Sequence, residues 1–249
     1  MTNSDRTICL EALSRAIITS EHPPPPGEKK FKPASVMALM SFKRTPNLIL
    51  IQKTDNEGYP WRNQMAFPGG HWDPGDKTRQ DTALRELGEE MGIPKHHVFT
   101  IGSLGHFQTI NNWDIEAFIG VWDQERKILF DPVEIQRVFH IPLAHLVEVH
   151  MERGFPGRMP GLEELTYPFE DIVIWGVTAK IIHHFMEIIR QKVTPAFDPV
   201  TGIDAGQLHG DHQAKGHPCL FRLISRKTVL TITNPASPAR VAGNQTWDA

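Results

Sequence analysis

Between Phe67 and Ile93 the chain reads Phe-Pro-Gly-Gly-His-Trp-Asp-Pro-Gly-Asp-Lys-Thr-Arg-Gln-Asp-Thr-Ala-Leu-Arg-Glu-Leu-Gly-Glu-Glu-Met-Gly-Ile, and this run limits the fold more than any other feature. Its second half predicts a helix over residues 77–91, with Asp76 as N-cap and Gly92 as a left-handed stop. On that helix Glu86, Glu89 and Glu90 lie three and four positions apart and share a face, while Leu84, Leu87 and Met91 point elsewhere. Like charges at this spacing cost about 0.2–0.5 kcal/mol per pair in water, so the helix gains nothing from them unless a cation sits over the stripe. Arg85 offsets only part of the charge, through Glu89 one turn on.

The loop in front of the helix supplies the rest of the pattern. Gly69-Gly70 permits a backbone turn that brings a carbonyl oxygen toward the helix. Three carboxylates and a carbonyl make an all-oxygen set suited to Mg²⁺ or Mn²⁺. With the loop included, a metal-binding reading of Glu86, Glu89, Glu90 and a carbonyl of Gly69 or Gly70 leads over the plain alternative, a solvated acidic face.

Around this segment the chain divides into three parts. Residues 4–18 carry helical periodicity and end at Pro23-Pro24-Pro25-Pro26-Gly27, a polyproline II spacer, so residues 1–26 are read as an N-terminal arm. Residues 27–194 are read as the main domain. Strands are expected over 36–40, 48–52, 65–67, 98–104, 115–122 and 172–174, with helices over 143–149 and 179–191. Interleaved strands and helices without strict βαβ alternation predict an α/β fold with a mixed sheet flanked by helices. Residues 195–249 are read as a loop-rich extension with strand character over 220–233. Within it His209, His212, His217 and Cys219 have the residue types of a zinc site, but their irregular spacing favours a plain loop. The pair His183-His184 is read as surface and core edge.

Charge and composition remove several classes of function. A net charge of −3 without a basic block argues against nucleic-acid capture, which needs many phosphates neutralised. No apolar run reaches the roughly 18 residues of a membrane span. The opening Met1-Thr-Asn-Ser-Asp-Arg lacks a basic and then greasy segment, and two distant cysteines make no disulfide framework, so a cytoplasmic protein with no membrane partner is expected.

The central run resembles the Nudix box: Gly, five residues, Glu, seven residues, then Arg-Glu-aliphatic-any-Glu-Glu-any-Gly-aliphatic. Arg85, Glu86, Leu87, Glu89, Glu90, Gly92 and Ile93 match its end. The front is one residue longer, with Asp76 in the place of Glu, as in the coenzyme A diphosphatase branch, which Phe67–Gly70, Asp73, Asp76 and Ala83–Glu86 also resemble. Asp131-Pro132-Val133-Glu134, Ile141-Pro142-Leu143 and Trp175-Gly176-Val177-Thr178-Ala179 resemble later segments of that branch. In the branch's signature ahead of the box, Thr54 and Tyr59 stand in place of arginines and Asn63 in place of glycine.

The resemblance implies a Nudix-type α/β/α sandwich and metal-dependent cleavage of a phosphoanhydride in a nucleoside diphosphate linked to another moiety, coenzyme A or a related ADP compound first. It implies Glu86 and Glu90 as ligands, Glu89 as ligand or water-orienting group, and Arg85 as the group that holds the glutamates. Glu116 and Glu134 are candidate bases; Lys53, Arg62 and His71 are candidate substrate contacts; Tyr59, Trp61 and Trp113 could stack on a purine. Two other readings stay open: a nucleotide-sugar or ADP-ribose diphosphatase, and a nucleotide-binding regulatory module without catalysis. A homodimer is a further expectation of the resemblance.

Overall fold

The computed structural model describes residues 3–27, 30–42, 45–55, 62–123 and 127–193, with the side chains of residues 3–9 excepted. The strand expected over 220–233, the histidines and cysteine of the C-terminal extension, Tyr59 and Trp61 lie outside the described residues. In chain order the elements are α1 (Asn3–Thr19), β1 (Lys32–Ser41), β2 (Asn47–Lys53), β3 (Met65–Ala66), β4 (Gly69–His71), α2 (Arg79–Met91), β5 (Val98–Gln108), β6 (Trp113–Trp122), β7 (Ile135–Pro142), α3 (Leu143–Glu152), β8 (Tyr167–Phe169), β9 (Ile172–Ile174) and α4 (Gly176–Ile188). A single turn, Lys95–His97, precedes β5, and a π-helical turn, Ile189–Val193, follows α4.

Strands β3-β2-β1-β6-β5 form the path of a seven-stranded mixed sheet, in which β1 and β6 run parallel; β4 also pairs with β1, and β7 with β2. Both faces are covered, which is why β1 and β2 read as nearly unbroken apolar runs. On one face Met37, Leu39, Ile49 and Ile51 meet Ala83, Leu87 and Met91 of α2. On the other, Ala38, Met40, Leu48 and Leu50 meet Leu146 of α3 and Ile182 and Phe185 of α4. The expected α/β/α sandwich is the fold. Among the described residues no helix is long and apolar enough to cross a membrane.

Several local expectations change. Helix α2 starts later than predicted: Thr78, not Asp76, is the N-cap, because Thr78 and Asp81 close a reciprocal capping box. Gly92 ends it at φ 62°, as expected. Strands β4, β7 and β8 come in addition to those predicted. His183 is buried beside His150, while half-buried His184 meets His22 at 3.0 Å between ring nitrogens. The segment read as an arm lies on the core: Leu13, Ala16 and Ile17 of α1 belong to the larger apolar cluster, and the Pro23 carbonyl accepts from His106 N–H at 2.8 Å.

Candidate active site

The site is built where β4 passes under α2. Gly69 has φ 154°, and a Cβ there would fall on the Ser35 carbonyl oxygen and 2.6 Å from Val36 Cα, so only glycine fits. Its N–H donates to Oε2 of Glu90 at 2.9 Å. At Gly70 a Cβ would sit 2.5 Å from the carboxylate carbon of Glu86. The missing side chains thus let the loop backbone and the helical glutamates occupy the same small space. Gly70 pairs with Ser35 of β1, and Ser35 pairs with Glu116 of β6, so that acid lies two strands along from the loop.

The three glutamates grade from solvent to core. Their side chains are 60% exposed at Glu89, 17% at Glu86 and 4% at Glu90. Arg85 serves the outer two: Nη1 lies 2.9 Å from Glu86 and 2.8 Å from Glu89. Its two-point grip goes to Asp76, through Nε at 3.1 Å and Nη2 at 3.2 Å, and Nη2 also donates to the His71 carbonyl at 2.9 Å. The Arg85–Asp76 hydrogen bonding draws the Asp76 pKa down and raises that of Arg85. The inner glutamate is served by Lys53, whose ammonium pairs with Glu90 Oε1 and stands 3.9 Å from Glu134. Burial pushes the pKa of both Glu86 and Glu90 up, against the pull of Arg85 and Lys53 respectively.

The remaining predicted residues divide. Glu116 accepts from Ser103 Oγ at 3.0 Å and has Arg79 and His106 nearby at 3.9 and 3.8 Å. His71 stacks flat on Trp113, ring centres 4.2 Å apart, so these two aromatic groups occupy each other. Arg62 is exposed and pairs with exposed Asp55 at 3.4 Å. Sequence reasoning passed over Arg79, which ties the first turn of α2 to β1 and β6 through the Ala34 carbonyl (3.3 Å) and Asp114 (2.7 Å). It also passed over the pairing of Lys53, although the alternation Ile49, Ile51, Lys53 already sends that side chain to the α2 face.

A model of the NUDIX domain matches residues 30–166, more than half of the chain. The chain belongs to the Nudix family. A protein of Photorhabdus laumondii described as an uncharacterized Nudix hydrolase, NudL, is 28% identical over 172 residues, covering 68% of this chain and 91% of the relative. A Yersinia pestis protein of the same description is 28% identical over 156 residues, 62% of this chain and 78% of the relative. A solved MutT/nudix family protein from Enterococcus faecalis superposes with a TM-score of 0.47 at 16% identity, over 90% of this chain and 86% of that one. The chain is accordingly a Nudix-family hydrolase, of the class of metal-dependent pyrophosphatases that act on nucleoside-diphosphate-linked compounds.

Family membership implies a divalent cation. The donor chemistry fits one: carboxylate oxygens of Glu86, Glu89 and Glu90 beside a glycine loop whose bare Cα leaves them room. Among the described residues no three His, Cys, Asp or Glu side chains gather around one point as metal ligands. In this arrangement Arg85 Nη1 bridges Glu86 and Glu89, while Lys53 and Gly69 N–H hold Glu90.

Proposed function

We propose that this Nudix hydrolase cleaves the phosphoanhydride bond of a nucleoside diphosphate joined to a second moiety, with coenzyme A or a related ADP-containing compound as substrate. The observation that carries the reading is the contact between loop and helix, in which Gly70 lies against Glu86 while Gly69 bonds Glu90. Glu86, Glu90 and the Gly70 carbonyl would hold the cation, which supplies charge neutralisation of the diphosphate and a more acidic bound water. Glu89, exposed and tethered by Arg85, orients the attacking water. Arg85 positions Glu86 and Glu89 from the side facing Asp76. Glu116, held as an acceptor by Ser103, is the base candidate with the more defined position, because Glu134 is half exposed. The coenzyme A assignment is supported by the Phe67–Gly70, Asp73 and Asp76 pattern and by the extra residue before Arg85.

The test is a substrate panel with Mg²⁺ or Mn²⁺, comparing coenzyme A, ADP-ribose, dinucleoside polyphosphates and UDP-sugars, with products identified by mass. Release of 3′,5′-ADP and phosphopantetheine from coenzyme A supports the assignment. Preferred turnover of ADP-ribose or a UDP-sugar replaces it with the second enzyme reading. Nucleotide binding that survives chelator, with no turnover of any compound, overturns catalysis altogether.

A further inference from the structure

Lys53 closes β2 on the face that carries Ile49 and Ile51, two fully buried residues packed toward α2. Only 10% of its side chain is exposed, and its partner Glu90 is more deeply buried still. Both oxygens of Glu90 are engaged, Oε1 by the Lys53 ammonium and Oε2 by Gly69 N–H. An ammonium at this depth has given up most of its hydration and is held there by carboxylate charge. A divalent cation that reaches for Oε1 meets this positive charge in a poorly screened setting, where repulsion between charges a few ångströms apart is strong.

We propose that Lys53 is a positioning residue that keeps Glu90 turned to the glycine loop and competes with the divalent cation for Oε1, so that the cation binds by displacing it. The displaced ammonium has a receiver. Glu134 stands 3.9 Å from Nζ on a half-exposed side chain, so Lys53 can change partner with a small movement and without being left buried and unpaired. The inference deepens the proposed function and rests on the reading of Glu86 and Glu90 as cation ligands. A lysine suits this exchange better than an arginine, because it is a compact point charge on a flexible stem rather than a planar fork locked to two oxygens.

Titration calorimetry of the full chain with Mn²⁺ at pH 8 tests it, using wild type, K53M, K53R and E86Q. K53M is expected to bind Mn²⁺ about tenfold tighter than wild type or more, because a resident positive charge is gone, while K53R, whose fork holds Glu90 more firmly, binds about threefold more weakly than wild type or worse. E86Q is expected to bind more weakly than wild type. Equal binding by E86Q and wild type overturns the ligand reading, and the competition with it. Affinity of K53M at or below that of wild type, with E86Q impaired, overturns the competition alone. Should K53M not fold, ¹⁵N-lysine spectra of the wild type decide the matter. The Lys53 ammonium signal is expected to move during Mg²⁺ titration with the calorimetric Kd, and an unmoved signal at saturation overturns the exchange.

Discussion

Two adjacent glycines stand in the loop, and the structure separates their duties sharply enough to test. Gly70→Ala places a methyl 2.5 Å from the Glu86 carboxylate, which must retreat by about 0.9 Å to reach an ordinary contact of 3.4 Å. The obstacle is the far end of a flexible side chain, and Gly70 does not have the positive φ of its neighbour, so folding tolerates the change within about 1 kcal/mol. Catalysis should not tolerate it, since a displacement of about 1 Å in a reacting constellation costs on the order of 10²-fold, equivalent to about 2.7 kcal/mol. Gly69→Ala does the reverse. Its methyl would overlap the Ser35 carbonyl and approach Val36 Cα, both backbone, at a φ of 154°. Strain and overpacking together are expected to cost about 3–5 kcal/mol of stability. Urea unfolding of both variants, with kcat/KM measured on the best substrate of the panel, reads the two effects apart. A Gly70→Ala enzyme with wild-type kcat/KM refutes the importance of the loop–glutamate contact. A Gly69→Ala protein as stable as wild type refutes the backbone argument.

Other changes probe the surroundings. Glu90→Gln keeps an acceptor for Gly69 N–H but leaves Lys53 without its buried counter-charge; turnover should fall by roughly 10²-fold or more, with about 1–3 kcal/mol lost from stability. An unchanged rate would remove Glu90 from the site. Deleting residues 1–26 takes Leu13, Ala16 and Ile17 out of the core, and at about 1.5–3 kcal/mol for each large side chain the remainder should melt far below the intact chain; equal melting temperatures would make α1 a detachable arm. Burial, with His22 alongside, holds the His184 pKa at about 4 against an ordinary 6.5. A depressed histidine favours the folded chain fully above pH 6.5, and that stabilisation disappears as pH falls toward 4; His150 and His183, also depressed by burial, act in the same direction. For a group still partly exposed this amounts to about 2–3 kcal/mol, so urea midpoints should drop over that window, and His184→Phe should flatten part of the slope. A variant with the wild-type slope would show that His184 carries none of it.

The sandwich was legible because β1, β2 and β6 are covered on both faces and so write themselves as apolar runs, and because α2 carries its stop at Gly92. What escaped was decided by partners distant in sequence. Strand β4 is only Gly69–His71, with no apolar alternation, and it is a strand because β1 offers it hydrogen bonds. In β7, Arg137 and His140 interrupt the apolar pattern, and the strand follows from antiparallel pairing with β2. Asp76 looked like a cap to local rules, yet Arg85, nine positions on, takes its carboxylate and leaves the cap to Thr78. Helical spacing drew attention to the three glutamates, and it took the glycine loop beside them to favour a ligand reading over a plain solvated face. Their different depths were not legible, because helical periodicity fixes direction around an axis but says nothing of how far the sheet rises on each side.

That difference in depth assigns the two basic side chains unlike work. Among the described residues, the ion pairs of four carboxylates, of Asp76, Glu86, Glu89 and Glu90, run to two cations, Arg85 and Lys53, so these pairs leave negative charge in excess beside the glycine loop. Arg85 sits on the solvent side and binds Asp76 with two of its nitrogens while a third reaches the glutamates. Such a grip is lost only if several bonds break together, which suits a fixed strut. Lys53 sits on the core side with one ammonium between Glu90 and Glu134, so a single partner exchange is enough to move its charge. On the proposed reading, an incoming divalent cation would meet a rigid outer clamp and a yielding inner one. Exchanging the two types, with lysine at position 85 and arginine at 53, should loosen Glu86 and Glu89 while tightening the hold on Glu90, and both changes weaken cation binding although the net charge is unaltered.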